Sequence, residues 1–309
     1  MPGVCLSVAI AFLALLAPSL HASFDALLIS PLLGMLFGNF IEKKDVFDPG
    51  ARFCTGKVLP AGLGLYGAQM VISGPAIRFL PPVLGASLLF FIITFLVTKG
   101  FGLESGISIL LCTGLSMCGA GAVAIISGTM DSDRNDLSIS LISLWTIGLA
   151  GMLAMTFCPD ALALASQKFA FMLGAALPSL GLIRAASAPM GPKFTGLATS
   201  MKLIRTALAG FLAMWLYFTK KAVRTSGALC FISIFSGLAL AVNLLGPAGL
   251  RLSGALAPAG LFVLSVSLAA LGFSVDFDSI LLKGASPLLA TLFAWGISVL
   301  FIYLAMKAF

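Results

Sequence analysis

The stretch Gly114-Leu115-Ser116-Met117-Cys118-Gly119-Ala120-Gly121-Ala122 interrupts an apolar run that extends over Ile107–Ile126. The run is long enough to cross a bilayer, which takes about 20 apolar residues. Its three glycines within eight residues weaken a helix, because each glycine costs about 1 kcal/mol relative to alanine. Unpaired backbone at that depth is tolerated only where protein or a watery cavity receives it. We therefore predict a broken helix of the kind that forms transporter binding sites; close helix packing on small residues is the alternative.

The composition is that of a membrane protein throughout. Of the 309 residues, 60% are hydrophobic and 9% are charged, against about 25% charged in soluble domains. We predict one all-α transmembrane domain over residues 1–309, with ten or eleven spans in the lipid bilayer. The formal charge of +7 fits positive-inside loops and no nucleic-acid partner. One histidine, and six cysteines without a C-x-x-C pair, predict no metal, no disulfide framework and no cofactor.

Apolar runs separated by polar loops define eleven candidate spans. They are Val4–Leu20, Leu27–Ile41, Lys57–Ser73, Pro81–Thr98, Ile107–Ile126, Leu137–Phe157, Ala161–Leu180, Gly196–Phe218, Gly227–Leu245, Leu252–Val275 and Pro287–Met306. The first run is either a retained span or a cleaved signal, and we favour a span because no Lys or Arg precedes it. The small, proline-bearing segment Gly181–Pro192 is predicted to be irregular.

When the sequence is aligned with itself at an offset of 150 residues, the glycine-interrupted run aligns with Leu256–Val275. The centre of that second run has serine, alanine and glycine in place of bulky apolar residues. This shift corresponds to five spans, an odd number, so the second half of the chain would have the opposite orientation in the membrane to the first. We predict an extra first span over 1–26 and a five-plus-five inverted repeat over 27–158 and 159–309. In it, two broken helices, around Gly119 and Ala269, cross near the midplane. A rival shift of 205 residues also aligns identical residues and remains open.

Lysines and arginines between the spans set the predicted orientation. The side that holds the N-terminus receives nine: Lys43, Lys44, Arg52, Lys57, Lys99, Lys220, Lys221, Arg224 and Lys283. The opposite side receives six: Arg78, Arg134, Arg184, Lys193, Arg251 and Lys307. Because cytoplasmic loops carry the excess of positive charge, we predict a cytoplasmic N-terminus.

Two basic residues, Lys202 and Arg205, lie inside a predicted span, whereas all eleven carboxylates fall in loops or at span ends. Positions i and i+3 share one helical face. Lys202 and Arg205, together with the partly positive N-termini of half-helices, predict a binding site for an anion. The hydroxyls of Ser116, Ser265 and Ser267 would supply further hydrogen-bond donors. Arg205 could hold a tetrahedral or carboxylate group bidentately. The alternative is that both side chains snorkel to the headgroups.

Two other classes of protein fit the sequence less well. A membrane serine hydrolase would use Ser116 as nucleophile and His21, the sole histidine, as base; a histidine at a span end is more typical of an interface. A channel would need a ring of like charges or a filter motif, and neither is evident in the sequence. We therefore expect no enzyme.

Four motifs resemble those of the YeiH-type sulfate exporter family. The residues that match are Gly34, Met35, Leu36, Gly38 and Asn39 with Pro49 and Gly50; Gly114, Ser116, Cys118, Gly119, Ala122 and Val123; Lys202, Leu203 and Arg205; and Ala269 through Ser274 with Asp276. The departures are Leu115 and Gly121 in the second motif, Gln69 for an arginine, and Pro178-Ser179 for a His-Glu pair. The resemblance implies an inverted-repeat carrier of the bacterial inner membrane, related to sodium/proton antiporters and bile-acid symporters.

We therefore expect a secondary transporter that moves a small anion, such as sulfate, sulfite or an organic sulfonate, by alternating access. A sodium- or proton-coupled symporter of an organic solute is the alternative, and both H⁺ and Na⁺ are candidate coupling ions. A homodimer is also compatible with the sequence. The expected binding residues are Gly114, Ser116, Cys118, Gly119, Gly121, Lys202, Arg205, Ser265, Ser267 and Gly272, with Asn39, Gln69, Ser274 and Asp276 as secondary positions.

Overall fold

The computed structural model describes residues 2–21, 24–41, 44–70, 79–130, 132–157, 166–219, 226–278 and 285–308. Within these ranges every regular element is helical. The α-helices are α1 Pro2–Leu16, α2 Ala26–Phe40, α3 Lys44–Phe53, α4 Leu59–Leu65, α5 Leu80–Gly100, α6 Ser105–Ser116, α7 Ala120–Met130, α8 Arg134–Phe157, α9 Ser166–Ala176, α10 Leu180–Ser187, α11 Pro192–Thr219, α12 Ser226–Leu244, α13 Pro247–Phe273 and α14 Ser286–Ala308. A π-helical turn joins α3 to α4 and a 3₁₀ turn, Tyr66–Gln69, follows α4.

Seven helical segments of the described chain are long and apolar enough to cross a membrane. They are α1 with its following turn, α5, α8, α11, α12, α13 and α14. The outer helices leave large apolar side chains uncovered; Leu88 of α5 and Leu240 of α12, for example, are about 60% exposed. Such a surface is stable in hydrocarbon and not in water. The prediction of an all-α polytopic membrane protein is confirmed.

The predicted break in the helix around Ala269 is wrong, because α13 runs without interruption through that position. The small residues there serve a helix contact with α2. A Cβ on Gly34 would overlap the backbone carbonyl of Ala269, and a Cβ on Gly272 would overlap that of Pro31. Small residues let two backbones approach closely, which drives helix association in membranes. Alanine also favours helix more than any other residue, so the softened centre remains helical.

Polar contacts define the two ends of the molecule. At the Arg134 end, Arg134 pairs with Asp48 at 2.9 Å and Lys44 lies 3.9 Å from Asp276. The Arg184 end lies at the other end of α2, because Asp25 caps the start of this helix and Asn39, near its last residue, contacts Val275 beside Asp276. There Arg184 pairs with Asp25, which directly precedes α2, at 2.8 Å.

The segments α6 and α7 form a hairpin that enters and leaves at the Arg134 end. Helix α6 runs parallel to α8. A Cβ placed on Gly106 would lie 3.6 Å from a carboxylate oxygen of Asp136, and Gly114 packs on Leu144, eight residues further along both helices. Helix α7 folds back, so that Val123 approaches within 3.0 Å of a Cβ placed on Gly114. The arms have 12 and 11 residues, too short to cross a bilayer.

This hairpin corrects the sequence prediction that Ile107–Ile126 crosses the membrane once. The hairpin also places Arg134 on the side of the membrane that holds the N-terminus, opposite to the side predicted, and there Arg134 pairs with Asp48. The predicted count of nine to six then becomes ten to five, because one residue leaves the smaller group and joins the larger.

A second hairpin, formed by α9 and α10, enters from the Arg184 end. Helix α9 runs parallel to α11, with ring centroids of Phe169 and Phe194 5.9 Å apart and Gly174 against Met201 further along. Helix α10, which contains Arg184, then runs back toward the Arg184 end of the molecule. The predicted span Ala161–Leu180 is thus a hairpin arm in its described part, and the segment predicted to be irregular from Gly181 is largely helical.

Candidate functional site

The tips of the two hairpins meet in the interior. The first tip comprises residues 117–119, and the second comprises residues 177–179. Gly119 has φ +68°, a left-handed conformation that side chains disfavour. A Cβ at Gly119 would overlap the carbonyl oxygen of Pro178, so only glycine fits the contact. The glycine-rich stretch is therefore a tight turn held against a second, proline-bearing turn.

Arg205 of α11 binds the carboxyl-terminal ends of α6 and α9. Its side chain is completely buried, and its guanidinium carbon lies 5.5 Å from the centroid of the Phe90 ring. Four of its N–H groups donate to backbone carbonyls. The acceptors are Ser116, at 3.0 Å from Nε, Gly174, at 2.8 Å from Nη1, and also Leu115 and Ala175. The last carbonyls of a helix have no partner within it, so Arg205 supplies partners for two helices at once.

Lys202, also completely buried, extends this arrangement to the tips. Its ammonium group donates to the carbonyls of Met117 at 2.6 Å and Leu177 at 3.2 Å. The indole N–H of Trp295 donates to the carbonyl of Ala176 at 2.8 Å. Positive charge at helix carboxyl termini is electrostatically favourable. The two cations thus neutralise the negative ends of α6 and α9.

These contacts bear on two expectations about the cations. Snorkelling to headgroups is excluded, because both side chains are buried against the hairpins. The expectation that Arg205 holds an anion bidentately is corrected, because four of its donors are committed to carbonyls. A buried guanidinium satisfies backbone groups that lipid and water cannot reach.

The positive ends of α7 and α10 converge on a small cavity of about 20 Å³, roughly the space of one water molecule. Its lining is formed by Leu27, Leu63, Cys118, Ala120, Gly121, Trp145, Ser179, Leu180, Gly181, Leu264 and Leu268. The Ser179 hydroxyl caps α10 by accepting from the N–H of Leu182 at 3.4 Å. The first N–H groups of both helices lack a carbonyl one turn earlier, which makes such ends suited to anions.

A cleft of about 880 Å³ at the Arg184 end leads toward this cavity. Its polar lining includes Asp25, Arg184 and Gln69. Three elements line both spaces at successive turns: residues 25 and 27 around the start of α2, 184 and 181 of α10, and 261 and 264 of α13. The cleft therefore narrows onto the hairpin tips, and the molecule is open toward the Arg184 end.

The structure brings some of the predicted binding residues together and separates others. Cys118 and Gly121 line the cavity, and Gly119 forms the turn beside it. Gly114 is a packing position, and the Ser116 hydroxyl donates to the Cys112 carbonyl at 2.6 Å.

On α13, the Ser267 hydroxyl donates to Val263 at 2.7 Å, and Gly272 lies in the contact with α2. The Ser265 hydroxyl is buried and has no hydrogen-bond partner among the described residues.

Of the four secondary positions, Gln69 lines the cleft. The other three lie at the Arg134 end, away from the tips. Asn39 bridges α2 to the end of α13, donating to Val275 at 3.1 Å and accepting from Phe277 at 3.0 Å. Ser274 donates to Ala270 at 3.0 Å within its own chain segment. These three residues therefore lie away from the hairpin tips.

Sequence reasoning missed the second tip and its neighbours: Ser179, Leu180, Gly181, Arg184 and Trp295. The signal was present as the Pro178-Ser179 interruption of an apolar run, since paired glycine- or proline-broken segments mark transporter sites. Within the described residues, no group of three His, Cys, Asp or Glu side chains could hold a metal ion.

Comparison with known proteins agrees with the resemblance noted above. A UPF0324 membrane protein of Archaeoglobus fulgidus is 28% identical over 289 residues, covering 91% of this chain and 85% of the relative. The UPF0324 inner membrane protein YeiH of Escherichia coli K12 is 29% identical over 319 residues, covering 96% and 90%. No solved structure gives a significant match. The family model described as conserved hypothetical protein 698 matches residues 2–291, and the chain belongs to this family of membrane proteins.

Proposed function

We propose that this protein is a secondary transporter of the inner membrane that moves a small anion by alternating access, with its N-terminus in the cytoplasm. One observation carries the proposal: two half-helix amino termini converge on one cavity, while the opposing carboxyl termini are neutralised by Lys202 and Arg205. Neutralising only the negative ends leaves a net positive potential at the tips. Such a construction at the meeting point of interrupted helices is typical of transporter binding sites.

The lining of the cavity supports an anion as the substrate. None of its lining residues is an acid, and its polar groups are the Ser179 hydroxyl, the Cys118 thiol, the Trp145 indole N–H and the backbone N–H groups. An oxyanion such as sulfate, sulfite or a sulfonate would accept hydrogen bonds from these donors. The cavity holds about one water molecule, so the hairpin tips would part to admit the substrate.

The two ends of the molecule suggest how access alternates. The Arg184 end is open through its cleft, and the Arg134 end carries the Arg134–Asp48 and Lys44–Asp276 pairs, which we assign to the barrier on that side. Movement of one hairpin against the other would close the first and open the second. Exposed ion pairs are weak, so opening the Arg134 end costs little electrostatic energy.

The geometry gives the enzymatic alternative no support. Ser116 would need His21 as its base, but the Ser116 hydroxyl donates inside α6. His21 packs against Phe24 between α1 and α2, with ring centroids 5.7 Å apart. A nucleophile and its base must lie within hydrogen-bond reach of each other.

Binding of anions to the purified protein tests the proposal. Sodium sulfate, sulfite, methanesulfonate and acetate are compared with sodium chloride at equal ionic strength by thermal unfolding, and those that stabilise are tested for uptake into proteoliposomes. The Gly121→Ala variant adds a methyl group to the cavity and should weaken binding, whereas Gly237→Ala, at a position with open space, should not. If none of these anions stabilises the protein beyond sodium chloride, or if both variants bind equally, an anion site at the tips would be contradicted.

A further inference from the structure

An ion pair stands at the neck between the cleft and the cavity. Asp25 is the N-cap of α2, and its Oδ1 accepts from the N–H of Leu27 at 2.9 Å. Its Oδ2 lies 2.8 Å from Nε of Arg184, a residue of α10 in the second hairpin. The Asp25 side chain is 9% exposed and the Arg184 side chain 32% exposed. The pair therefore ties the second hairpin to α2, with the guanidinium accessible from the cleft.

We propose that Asp25 is a proton-binding site that couples proton movement to anion transport. The inference rests on the proposed function. While Asp25 is ionised, its carboxylate neutralises Arg184. When a proton from the cleft binds the carboxylate, Arg184 keeps its charge and becomes available to an anion that approaches the tips. The proton and a negative charge then bind together and travel in the same direction, which is proton–anion symport.

The surroundings of the pair favour this role. Asp25 and Arg184 are the two charged residues among those that line the cleft. From the turn after α4, the buried Tyr66 phenol also faces the pair, and its hydroxyl lies beside Arg184 and Gln69. A phenol hydroxyl can donate as well as accept a hydrogen bond. Tyr66 therefore places a second donor next to the guanidinium that an anion would meet.

The surroundings of Asp25 also affect how readily its carboxylate is protonated. Burial raises the pKa of Asp25, while Arg184 and the Leu27 N–H lower it. An anion that draws Arg184 away removes the larger of the two lowering effects. The pKa of Asp25 therefore rises when the anion binds, and by linkage protonation raises the affinity for the anion.

Binding of radiolabelled sulfate to the purified protein, measured from about pH 5 to about pH 8, tests the coupling. In the wild type, affinity should fall by up to about tenfold per pH unit above the pKa of Asp25, the slope of one linked proton. Asp25→Asn keeps an N-cap oxygen and should bind sulfate with an affinity independent of pH. Arg184→Gln should bind weakly throughout. Glu104→Gln, an exposed acid at the start of α6, should follow the wild type.

A second measurement uses the wild-type protein alone and does not depend on how a variant folds. In weakly buffered solution above the pKa of Asp25, addition of sulfate should cause proton uptake that a pH indicator detects. Sulfate binding without proton uptake, or parallel pH profiles for the wild type and Asp25→Asn, would overturn the coupling and leave the anion site intact. Failure of sulfate and every other anion tested to bind would contradict the proposed function and, with it, the coupling.

Discussion

Replacement of Arg205 should destabilise the protein because the side chain completes the hydrogen bonding of two helix ends. Arg205→Ala removes donors from four buried carbonyls. Each unsatisfied carbonyl costs about 1–3 kcal/mol, so the loss is about 4–12 kcal/mol. Arg205→Lys keeps the charge, but its single ammonium reaches about two of the four carbonyls, and we expect roughly half of that loss. Entry of water would move both values toward the lower end.

Unfolding in mixed micelles, followed by tryptophan fluorescence during titration with sodium dodecyl sulfate, measures these losses. Arg251→Ala, which removes an exposed arginine from α13, is the matched control and should unfold as the wild type does. The order of stability should be wild type, Arg205→Lys, Arg205→Ala. An Arg205→Ala protein that unfolds within about 1 kcal/mol of the wild type but no longer binds anions would refute the structural role and favour direct ligand binding.

Two further variants test the hairpin tips. Gly119→Ala and its control Gly102→Ala both place a side chain at positive φ, at a cost of about 1–2 kcal/mol. Only the side chain at position 119 would also overlap the Pro178 carbonyl, so Gly119→Ala should unfold much more readily in the same titration. Equal losses of stability in the two variants would argue against the contact between the tips. Trp295→Phe leaves the Ala176 carbonyl without its donor and should cost about 1–3 kcal/mol, with an unchanged stability contradicting that hydrogen bond.

Composition and hydrophobic runs were sufficient to predict a helical membrane protein, because lipid permits little else. The positions of the spans follow from the same runs, and helices α5, α8, α11, α12, α13 and α14 lie where apolar segments were predicted. The interruption at Gly119 could also be predicted, since glycine weakens helices wherever it occurs. The assignment of repeats to 27–158 and 159–309, and the five-plus-five inverted repeat, stay predictions.

Composition did not distinguish a break from a packing surface. The glycine-rich stretch at Gly119 is a turn, whereas the small residues around Ala269 are a contact for α2, because the Gly34 backbone lies against them. Nor could the local pattern show that α7 reverses direction, since a hairpin arm and half of a span are equally apolar. The partners of Lys202 and Arg205 depend on where α6 and α9 end, because the last carbonyls of these two helices, distant in sequence, meet at one place.

Labelling of cysteines from one side of the membrane tests the opposed hairpins most directly. Glu104 precedes α6 and Asp133 follows α7, and both are exposed. Single cysteines introduced at either position would be treated with a membrane-impermeant maleimide in intact cells and in inverted vesicles, with the unmodified parent as the blank. Because the hairpin enters and leaves at one end, both cysteines should react from the same side. Reaction from opposite sides would show that Ile107–Ile126 crosses the membrane, and the meeting of two hairpin tips would be contradicted.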